Sequence, residues 1–345
     1  MDPSSPDNEA ASPTWLAVAA ARGVSVDALQ IYAECWTLER WLRELLYLEL
    51  RACHGYNWRA QLEDRRESDR MSAERDGFFY MPSDEISAPL AFLGLNELLK
   101  TLDKNWKILE PSLLPKKVWE GKIHEAKAIR NRMAHFRKPH RDDVDRLRQL
   151  RHDLEAGARS AILSYTRTFR PDPKTSPIIS RIEADPVFGD LCSHADRFYD
   201  MAFDLRYSRR PWASAAVAAC GTPGILWEAV FYFRSTARRG IPPPADVWQS
   251  PQLQGHLPWI VFIVVPGPGE FRVTLPAVDD DCDTTVLVLT AVLKTLLSTT
   301  KPGADDDWDR WVADTNQIQD CRLQVHTPFA HYDEDAVSRG IGVLV

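Results

Sequence analysis

Arg130, Asn131 and His135 are the residues whose types and spacing are best suited to chemistry in this chain. A histidine titrates near neutral pH, so its imidazole can serve as a base or as an acid. Arginine is always charged, and its flat guanidinium matches the oxygens of a phosphate. The asparagine amide could orient either the phosphate or the imidazole. The three residue types together indicate chemistry on a phosphodiester.

RNA supplies its own nucleophile, the 2′-hydroxyl beside each phosphodiester. Cleavage then requires a base for the hydroxyl proton, an acid for the leaving oxygen and a positive charge near phosphorus. Removing such a charge-stabilising donor typically raises the barrier by on the order of 3 kcal/mol. An arginine, an asparagine and a histidine could meet these needs without a metal or cofactor, so Arg130, Asn131 and His135 are candidate catalytic residues for metal-independent RNA cleavage.

The segment around these residues is basic although the chain as a whole is acidic. Residues 115–151 contain 12 Lys and Arg against 5 Asp and Glu, a net charge of +7, while the whole chain has a net charge of −7. A local basic stretch is what phosphate binding requires. We predict that RNA contacts Lys127, Arg132, Arg137 and Lys138. A solvated helix face is the alternative explanation of these charges.

Helices must position the three residues, because apolar side chains recur at three- and four-residue steps through the first half of the chain. Ser25 can cap a helix that runs to about His54 and stops at Gly55. Pro115 suits the first turn of a helix that carries the catalytic residues, and Pro139 ends that pattern. The other predicted elements of this half are a short helix and a loop over 57–76, a helix from Ser83 and a helix over 142–168.

The segment Ala-Ile-Arg-Asn-Arg-Met-Ala-His-Phe, residues 128–136, resembles the signature of the HEPN superfamily. In that signature a polar residue, often Asn, follows the Arg, and four to six residues separate the Arg from a His. Here four residues separate Arg130 from His135, and Asn131 occupies the polar position. The segments 38–45 and 55–58 also look like the opening of some HEPN domains. The resemblance covers about 145 residues and implies a helical ribonuclease domain.

The motif contains one histidine, whereas cleavage requires an acid and a base. His124 precedes His135 by eleven positions, which is roughly 16 Å along a straight helix, so it is a poor partner within the chain. The HEPN resemblance implies that two helical domains pair and bring two copies of the motif together. Two-fold symmetry places the same patch of each chain opposite itself. We therefore expect a homodimer whose two His135 side chains face one groove.

The pattern changes after the segment 170–173, Arg-Pro-Asp-Pro, which is typical of a linker. Short runs rich in Val, Ile and aromatic residues then predict strands over 225–233, 259–265, 271–275, 322–325 and 341–345. The turn 266–269 predicts a hairpin, and 284–297 and 308–319 predict helices. The expected fold is α+β, with a flexible tail over 1–24, an all-α HEPN-like bundle over 25–170 and an α+β domain over 171–345 containing a mostly antiparallel sheet.

Composition and cysteine usage limit where the protein acts. The chain is 44% apolar and 26% charged, as in ordinary globular proteins. Its longest apolar runs, such as 257–266, are shorter than the roughly 20 residues that span a bilayer, and residues 1–13 lack the features of a signal peptide. We expect a cytoplasmic protein without a membrane partner. The six cysteines form no C-x-x-C pair, so buried or idle thiols are expected instead of a disulfide scaffold or a zinc site.

Three functions are compatible with these patterns. The first is an endoribonuclease acting as a toxin or in antiviral defence, in which residues 171–345 bind a trigger or an inhibitor; the defence role rests on analogy. The second is a non-catalytic HEPN-like module that dimerises and binds RNA or nucleotides. The third is an unrelated activity in 171–345, where acidic runs at 279–283 and 305–309 suggest metal binding, although surface loops also explain them. In a purely structural alternative, Arg130 pairs with an acidic residue and His135 caps a helix.

Overall fold

The computed structural model describes residues 13–62, 66–77, 88–214, 218–234, 240–279, 282–301, 304–318 and 320–325. Elements are numbered within these residues. The helices are α1 Pro13–Ala21, α2 Val26–His54, α3 Arg66–Gly77, α4 Leu95–Lys104, α5 Trp106–Leu109, α6 Lys116–Ala134, α7 Asp143–Thr166, α8 Pro177–Ala184, α9 Pro186–Tyr199, α10 Pro244–Gln249, α11 Pro251–Gln254, α12 Cys282–Thr299 and α13 Ala304–Asn316.

Six strands form one sheet in the order β1-β2-β3-β5-β4-β6. Their bounds are β1 Thr168–Phe169, β2 Met201–Arg209, β3 Ile225–Phe233, β4 Phe262–Gly267, β5 Glu270–Pro276 and β6 Leu323–Gln324. Every neighbouring pair is antiparallel except β4 and β6, which are parallel. The expected α+β class, with helices before a mostly antiparallel sheet, is confirmed.

The chain forms two compact units. The motif unit comprises Met1–Arg40 and Leu113–Glu155, and the sheet unit comprises Trp41–Ser112 and Ala156–Val345. Neither unit coincides with 25–170 or 171–345, and those two ranges stay predictions. Helix α1 lies within the range 1–24 that was expected to be a tail.

Apolar side chains at helical spacing form the buried face of the motif unit. In α6 the buried positions are Trp119, Ile123, Ala126 and Ile129, which follow one another at steps of three or four residues. The first part of α7 buries Val144, Leu147, Leu150 and Leu154 at the same steps. Such stripes are expected where a helix packs one side against its neighbours. The sequence pattern predicted both helices, and the structure confirms them.

Strand β3 is the centre of the sheet unit, because nearly all of its side chains are buried on both faces. One of its faces contributes Trp227, Phe231 and Phe233 to a large apolar cluster. Helix α12 contributes Val288, Leu289, Val292 and Leu296 to the same cluster. This helix is long and apolar enough to cross a membrane by length and composition, and eight of its residues are buried in the structure.

The second half of α2 and the end of α7 pack against the sheet through aromatic side chains. The rings of Tyr47 and Tyr165 lie 5.9 and 5.8 Å from that of Phe262 on β4, both edge-on. The Tyr165 hydroxyl lies 2.6 Å from Thr274 Oγ1 on β5. Burial raises the pKa of Tyr47 to about 12, so this hydroxyl stays neutral in the core.

A buried ion pair between Glu49 and Arg210 fixes α2 to the loop after β2. Glu49 and Arg210 have no solvent-exposed side-chain surface, and both carboxylate oxygens accept hydrogen bonds from Arg210. Trp212 Nε1 donates a further bond of 2.6 Å to Glu49 Oε2, and Arg210 Nη1 contacts the Ala161 carbonyl at 3.4 Å. A buried charge is tolerated only when it is satisfied in this way.

Gly224 holds the other end of this loop. Its backbone amide donates to the Ala52 carbonyl and its carbonyl accepts from the Arg210 amide, both at 2.8 Å. Its φ is +81°, and an added Cβ would lie 2.5 Å from the Cβ of Ala213. No other residue fits this position without movement of its neighbours.

Several elements were absent from the sequence prediction. Strands β1 and β2 and helices α8 and α9 were not predicted, whereas β3, β4, β5, β6, α12 and α13 were. The expectation of thiols throughout was wrong for one pair, since Cys220 and Cys282 form a disulfide. A hydrogen bond from the Gly221 amide to the Ala277 carbonyl holds the Cys220 loop near the start of α12. The predicted helix start at Ser83 and the strand over 341–345 lie outside the described residues.

We predict that Glu49→Gln and Arg210→Met each lower the free energy of unfolding by about 3 to 5 kcal/mol, because each leaves one buried charge without its partner. Urea denaturation followed by tryptophan fluorescence measures the change. Arg234→Met is the control, since Arg234 lies 4.0 Å from Asp200 and is 60% exposed; its cost should stay below about 1 kcal/mol. Equal effects of the three substitutions would contradict a structural role for the buried pair.

Candidate functional site

The last turns of α6 place the three predicted catalytic residues at the end of one helix. Arg130 and Asn131 lie within α6, and His135 is the residue that follows its last helical position. The His135 amide still donates to the Asn131 carbonyl at 3.2 Å. From Arg130 to His135 the chain advances about 7.5 Å along the helix axis. A single phosphate and its neighbouring ribose fall within this reach.

Phe136 reverses the chain directly after His135. Its φ is +53°, in the left-handed region. The Phe136 amide donates to the Met133 carbonyl at 2.9 Å, and the Arg137 amide donates to the Arg132 carbonyl at 3.0 Å. These two bonds form a Schellman motif, in which glycine is the usual residue at the left-handed position. A side chain there costs roughly 1 to 2 kcal/mol.

Glu39 on α2 holds the guanidinium of Arg130. The two groups meet through Nε and Oε1 at 3.1 Å, with 37% of the arginine side chain exposed and 13% of the glutamate. Among the described residues, Arg130 has no other hydrogen-bonding partner. Its two terminal nitrogens carry four further N–H donors, which remain for a ligand. The contact therefore orients Arg130 without using its phosphate-binding edge.

Arg132 is engaged differently, because Asp143 at the start of α7 binds it. Arg132 Nη1 lies 2.5 Å from Asp143 Oδ2, and that same oxygen accepts the backbone amide of His140 at 2.8 Å. The Asp143 amide in turn donates to the His140 carbonyl at 3.1 Å. Asp143 is buried, and its carboxylate fixes both ends of the turn between α6 and α7. The predicted RNA contact by Arg132 stays a prediction, but its described contacts are those of a structural clamp.

Most cations of residues 115–151, here called the basic flank, are paired with carboxylates inside the motif unit. Seven of its cations have a carboxylate partner, namely Lys122, Arg130, Arg132, Arg141, Arg146, Arg148 and Arg151. A single carboxylate, that of Glu34, lies 3.7 Å from Arg148 and 3.4 Å from Arg151. Lys127, Arg137 and Lys138 have no such partner in the part of the chain that the structure describes. Positive charge is therefore available chiefly beside His135.

Lys127, Asn131 and His135 lie along one side of α6 and its C-terminal end, since they follow one another at steps of four positions. His135 is exposed, and the other two are half-buried. Arg130 lies on the neighbouring side, at the edge of the buried stripe, where Glu39 reaches it. The helix thus presents an amide, an imidazole and an ammonium group in a row, with the guanidinium beside them.

Cys35 lies close enough to Glu39 and Arg130 for their charges to affect the pKa of its thiol. Burial, together with the charges of Glu39 and Glu34, raises its pKa to about 12, against a smaller opposing effect of Arg130. Burial also raises the pKa of Cys192 to about 11. At neutral pH both thiols are protonated, as the sequence predicted for idle cysteines.

A cleft of about 460 Å³ lies between α6 and α7, away from the motif. Its walls include Ile129 and Leu147, and its rim includes Lys122, Glu125 and Arg146. Arg146 pairs with Glu125 across it at 2.7 Å. The lining includes neither Arg130 nor His135. No group of three or more His, Cys, Asp or Glu side chains within the described ranges is arranged to hold a metal ion.

The chain matches no known family model, no curated protein and no solved structure. The resemblance to the HEPN superfamily therefore rests on the motif and the order of the helices.

Three residues that the sequence did not single out shape this site. Glu39 precedes its partner by 91 residues and Asp143 follows its partner by 11. No local pattern reveals the first contact, whereas an aspartate in the first turn of a helix after Pro139 was a signal for the second. Phe136 was visible as a bulky residue where a helix-ending glycine is usual.

We predict that Asp143→Ala lowers the free energy of unfolding by about 2 to 3 kcal/mol, since it removes two buried bonds to a charged acceptor. The His140 amide should also exchange with solvent faster, which hydrogen exchange measures. Asp145→Ala is the matched control, because Asp145 lies in the same first turn of α7 but is exposed. If both variants behave alike, Asp143 does not clamp the turn.

Proposed function

We propose that the protein is a metal-independent endoribonuclease and that Arg130, Asn131 and His135 form its active site. The observation that carries the proposal is the state of Arg130 and His135. Glu39 orients Arg130 through Nε alone, and the terminal guanidinium nitrogens remain for a phosphate. His135 is exposed at the helix end and has no side-chain hydrogen bond or ion pair with another described residue. Glu39 thus holds Arg130 in position, and the helix end holds the backbone of His135. The terminal guanidinium nitrogens and the imidazole are available to a ligand.

In the proposed mechanism, the imidazole of one His135 takes the proton of the 2′-hydroxyl. The 2′-oxygen attacks phosphorus, and the bond to the 5′-oxygen breaks as that oxygen receives a proton. The upstream fragment ends in a 2′,3′-cyclic phosphate. Arg130 neutralises the negative charge that develops on the phosphate oxygens. Asn131 positions the phosphate, and Lys127, Arg137 and Lys138 hold neighbouring phosphates.

The structural alternative also has support, because Arg130 does contact a carboxylate and His135 does cap α6. Those contacts explain one nitrogen of Arg130 and the backbone of His135. They leave the imidazole and the terminal guanidinium nitrogens without a role. A non-catalytic HEPN-like module that binds RNA or nucleotides would use the same cations without proton transfer, and a cleavage assay distinguishes the two.

Biological role and location rest on the sequence. A toxin or antiviral effector whose residues 171–345 bind a trigger or an inhibitor fits an enzyme that must be restrained. We place it in the cytoplasm, where its RNA substrates are. One described feature disagrees with this location: Cys220 and Cys282 form a disulfide, and such bonds are rare in a reducing compartment such as the cytoplasm.

We predict that His135→Ala lowers the rate of RNA cleavage by about 10²- to 10⁴-fold, the usual contribution of a general acid or base. Arg130→Ala should lower it by about 10²- to 10³-fold. Purified protein is incubated with total RNA in EDTA, and fragment ends are analysed for a 2′,3′-cyclic phosphate or its opened form. His124→Ala is the matched control, because it is an exposed histidine on the same helix.

Two outcomes would contradict this mechanism. Fragments that end in a free 3′-hydroxyl and appear only with magnesium would show that a different, metal-dependent site cuts the RNA. Variants that melt well below the wild type would assign Arg130 and His135 to structure. Thermal melts of all four proteins are therefore part of the assay.

A homodimer supplies the second imidazole that this mechanism requires. One chain offers a single motif histidine, and a two-fold axis places a second copy opposite it. The pairing also concentrates Lys127, Arg137 and Lys138 from two chains around one groove. Internal ion pairs neutralise much of the remaining flank, so this doubling matters for holding RNA.

We predict a mass near twice 39.2 kDa by light scattering at micromolar concentration. Wild type and His135→Ala are mixed in equal amounts and allowed to exchange subunits. The mixture should show about one quarter of the activity of the same total amount of wild type, because only wild-type homodimers have both histidines. The same mixture assayed before exchange should show about half and serves as the control. A monomer that cleaves efficiently at nanomolar concentration would refute the shared site.

A further inference from the structure

Phe136 is the most exposed large apolar side chain of the chain's described residues. It is 98% exposed, whereas the next most exposed large apolar side chain, that of Tyr32, is 63% exposed. Its backbone is in the left-handed region, with φ at +53°. The ring therefore stabilises no core, and its backbone position is one in which glycine would relieve strain. Neither packing nor local conformation accounts for a phenylalanine here.

Two cations follow the ring in sequence. These are Arg137 and Lys138, and both are exposed, as is His135 before the ring. The carboxylate nearest along the chain is Asp142, which already contacts His140 and Arg141. An exposed aromatic ring beside available cations is the combination by which proteins bind single-stranded nucleic acid, with bases stacked on the ring and phosphates held by the charges.

We propose that Phe136 is a stacking platform for an unpaired RNA base next to the phosphate that is cleaved, an inference that rests on the proposed function. The Schellman turn directs the ring away from the helix immediately after His135. A base stacked there would bring its own ribose and phosphate to the imidazole and to Arg137. The platform selects single-stranded over duplex RNA, because bases within a duplex present no free face. It is tolerant of sequence, since every base has such a face.

A second copy of this chain is the competing occupant of the ring. Two copies meeting through Phe136 would bring His135, Arg137 and Lys138 of each chain against those of the other. Direct contact between the two rings would press Arg137 and Lys138 of each chain against those of the other, which like charges oppose; in the proposed groove, an RNA phosphate lies between the two sets of charges. The charge around Phe136 therefore favours RNA.

The test measures binding of the full chain to single-stranded RNA of about ten nucleotides in which every ribose is 2′-O-methylated. Such RNA cannot be cleaved by 2′-hydroxyl attack, so it stays intact and binding can be measured without mutating His135. Phe136→Ala should weaken Kd by about tenfold, which corresponds to ~1.4 kcal/mol. Phe136→Trp should bind at least as tightly as wild type. An oligonucleotide of the same length with abasic sugars should bind wild type and Phe136→Ala equally.

Two controls accompany the binding test: the Tm of the Phe136 variants and the Kd of a variant at another exposed phenylalanine. Phe136→Gly should weaken binding like Phe136→Ala while its Tm stays equal to that of wild type or rises by about 2 to 4 °C. Phe198→Ala should leave Kd unchanged, because Phe198 is also exposed and lies beside Arg197 but is outside the predicted site. An unchanged Kd for the Phe136 variants, a fall in their Tm, or a loss of dimer that accounts for weaker binding would each overturn the proposal.

Failure of this inference is distinguishable from failure of the proposed function. Unmodified RNA that is cleaved by wild type, with binding indifferent to Phe136, would retain the ribonuclease and remove the stacking platform. Phe136-dependent binding without cleavage would retain the platform on a non-catalytic RNA-binding module. Absence of any RNA binding by the wild type would overturn both.

Discussion

The carboxylate of Glu49 joins α2 to the loop after β2, because the fully buried Arg210 and the half-buried Trp212 both donate to it. The same guanidinium contacts the Ala161 carbonyl of α7, so one ion pair fixes two long helices against the sheet. Burying charges is unfavourable unless every polar atom is satisfied, and this requirement limits how the helices can pack.

Charge within the motif unit is divided between holding the fold and remaining available. Glu34, Glu39 and Asp143 each bind arginines of the basic flank, so the +7 of residues 115–151 overstates the charge that a ligand meets. Solvent-exposed pairs of this kind contribute little stability, but Asp143 is buried and its bonds are directional. Of the described cations in this segment without a carboxylate partner, Arg137 and Lys138 lie beside His135, Lys127 lies two turns before it, and Lys117 lies in the first turn of α6. A phosphate would therefore be drawn to the helix end and not to α6 as a whole.

Local signals made the long helices α2, α6, α7 and α12 predictable, whereas contacts between residues distant in sequence escaped prediction. Pro115, Pro139 and the apolar steps of α6 define that helix from sequence, and the structure confirms it. Strand β2 was missed because Asp204 and Arg206 alternate with Leu205 and Tyr207, which marks a half-exposed strand and not the continuous apolar run of β3. The Cys220–Cys282 pair joins residues 62 positions apart, and spacing alone does not reveal it. The contacts of Arg130 and Arg132 depend in the same way on helices that approach only in the folded chain.

The end of α6 opposes what stability alone would select. Glycine at position 136 would complete the same two hydrogen bonds without strain, and an apolar ring would normally be buried. Departures from local rules are expected at functional positions, where another requirement outweighs the loss of stability. The exposed imidazole of His135, the terminal nitrogens of Arg130 and the ring of Phe136 all occur within seven consecutive residues. Each of these groups lacks a full structural role in its described contacts, and RNA is a ligand that would engage all three through its ribose, its phosphate and its base.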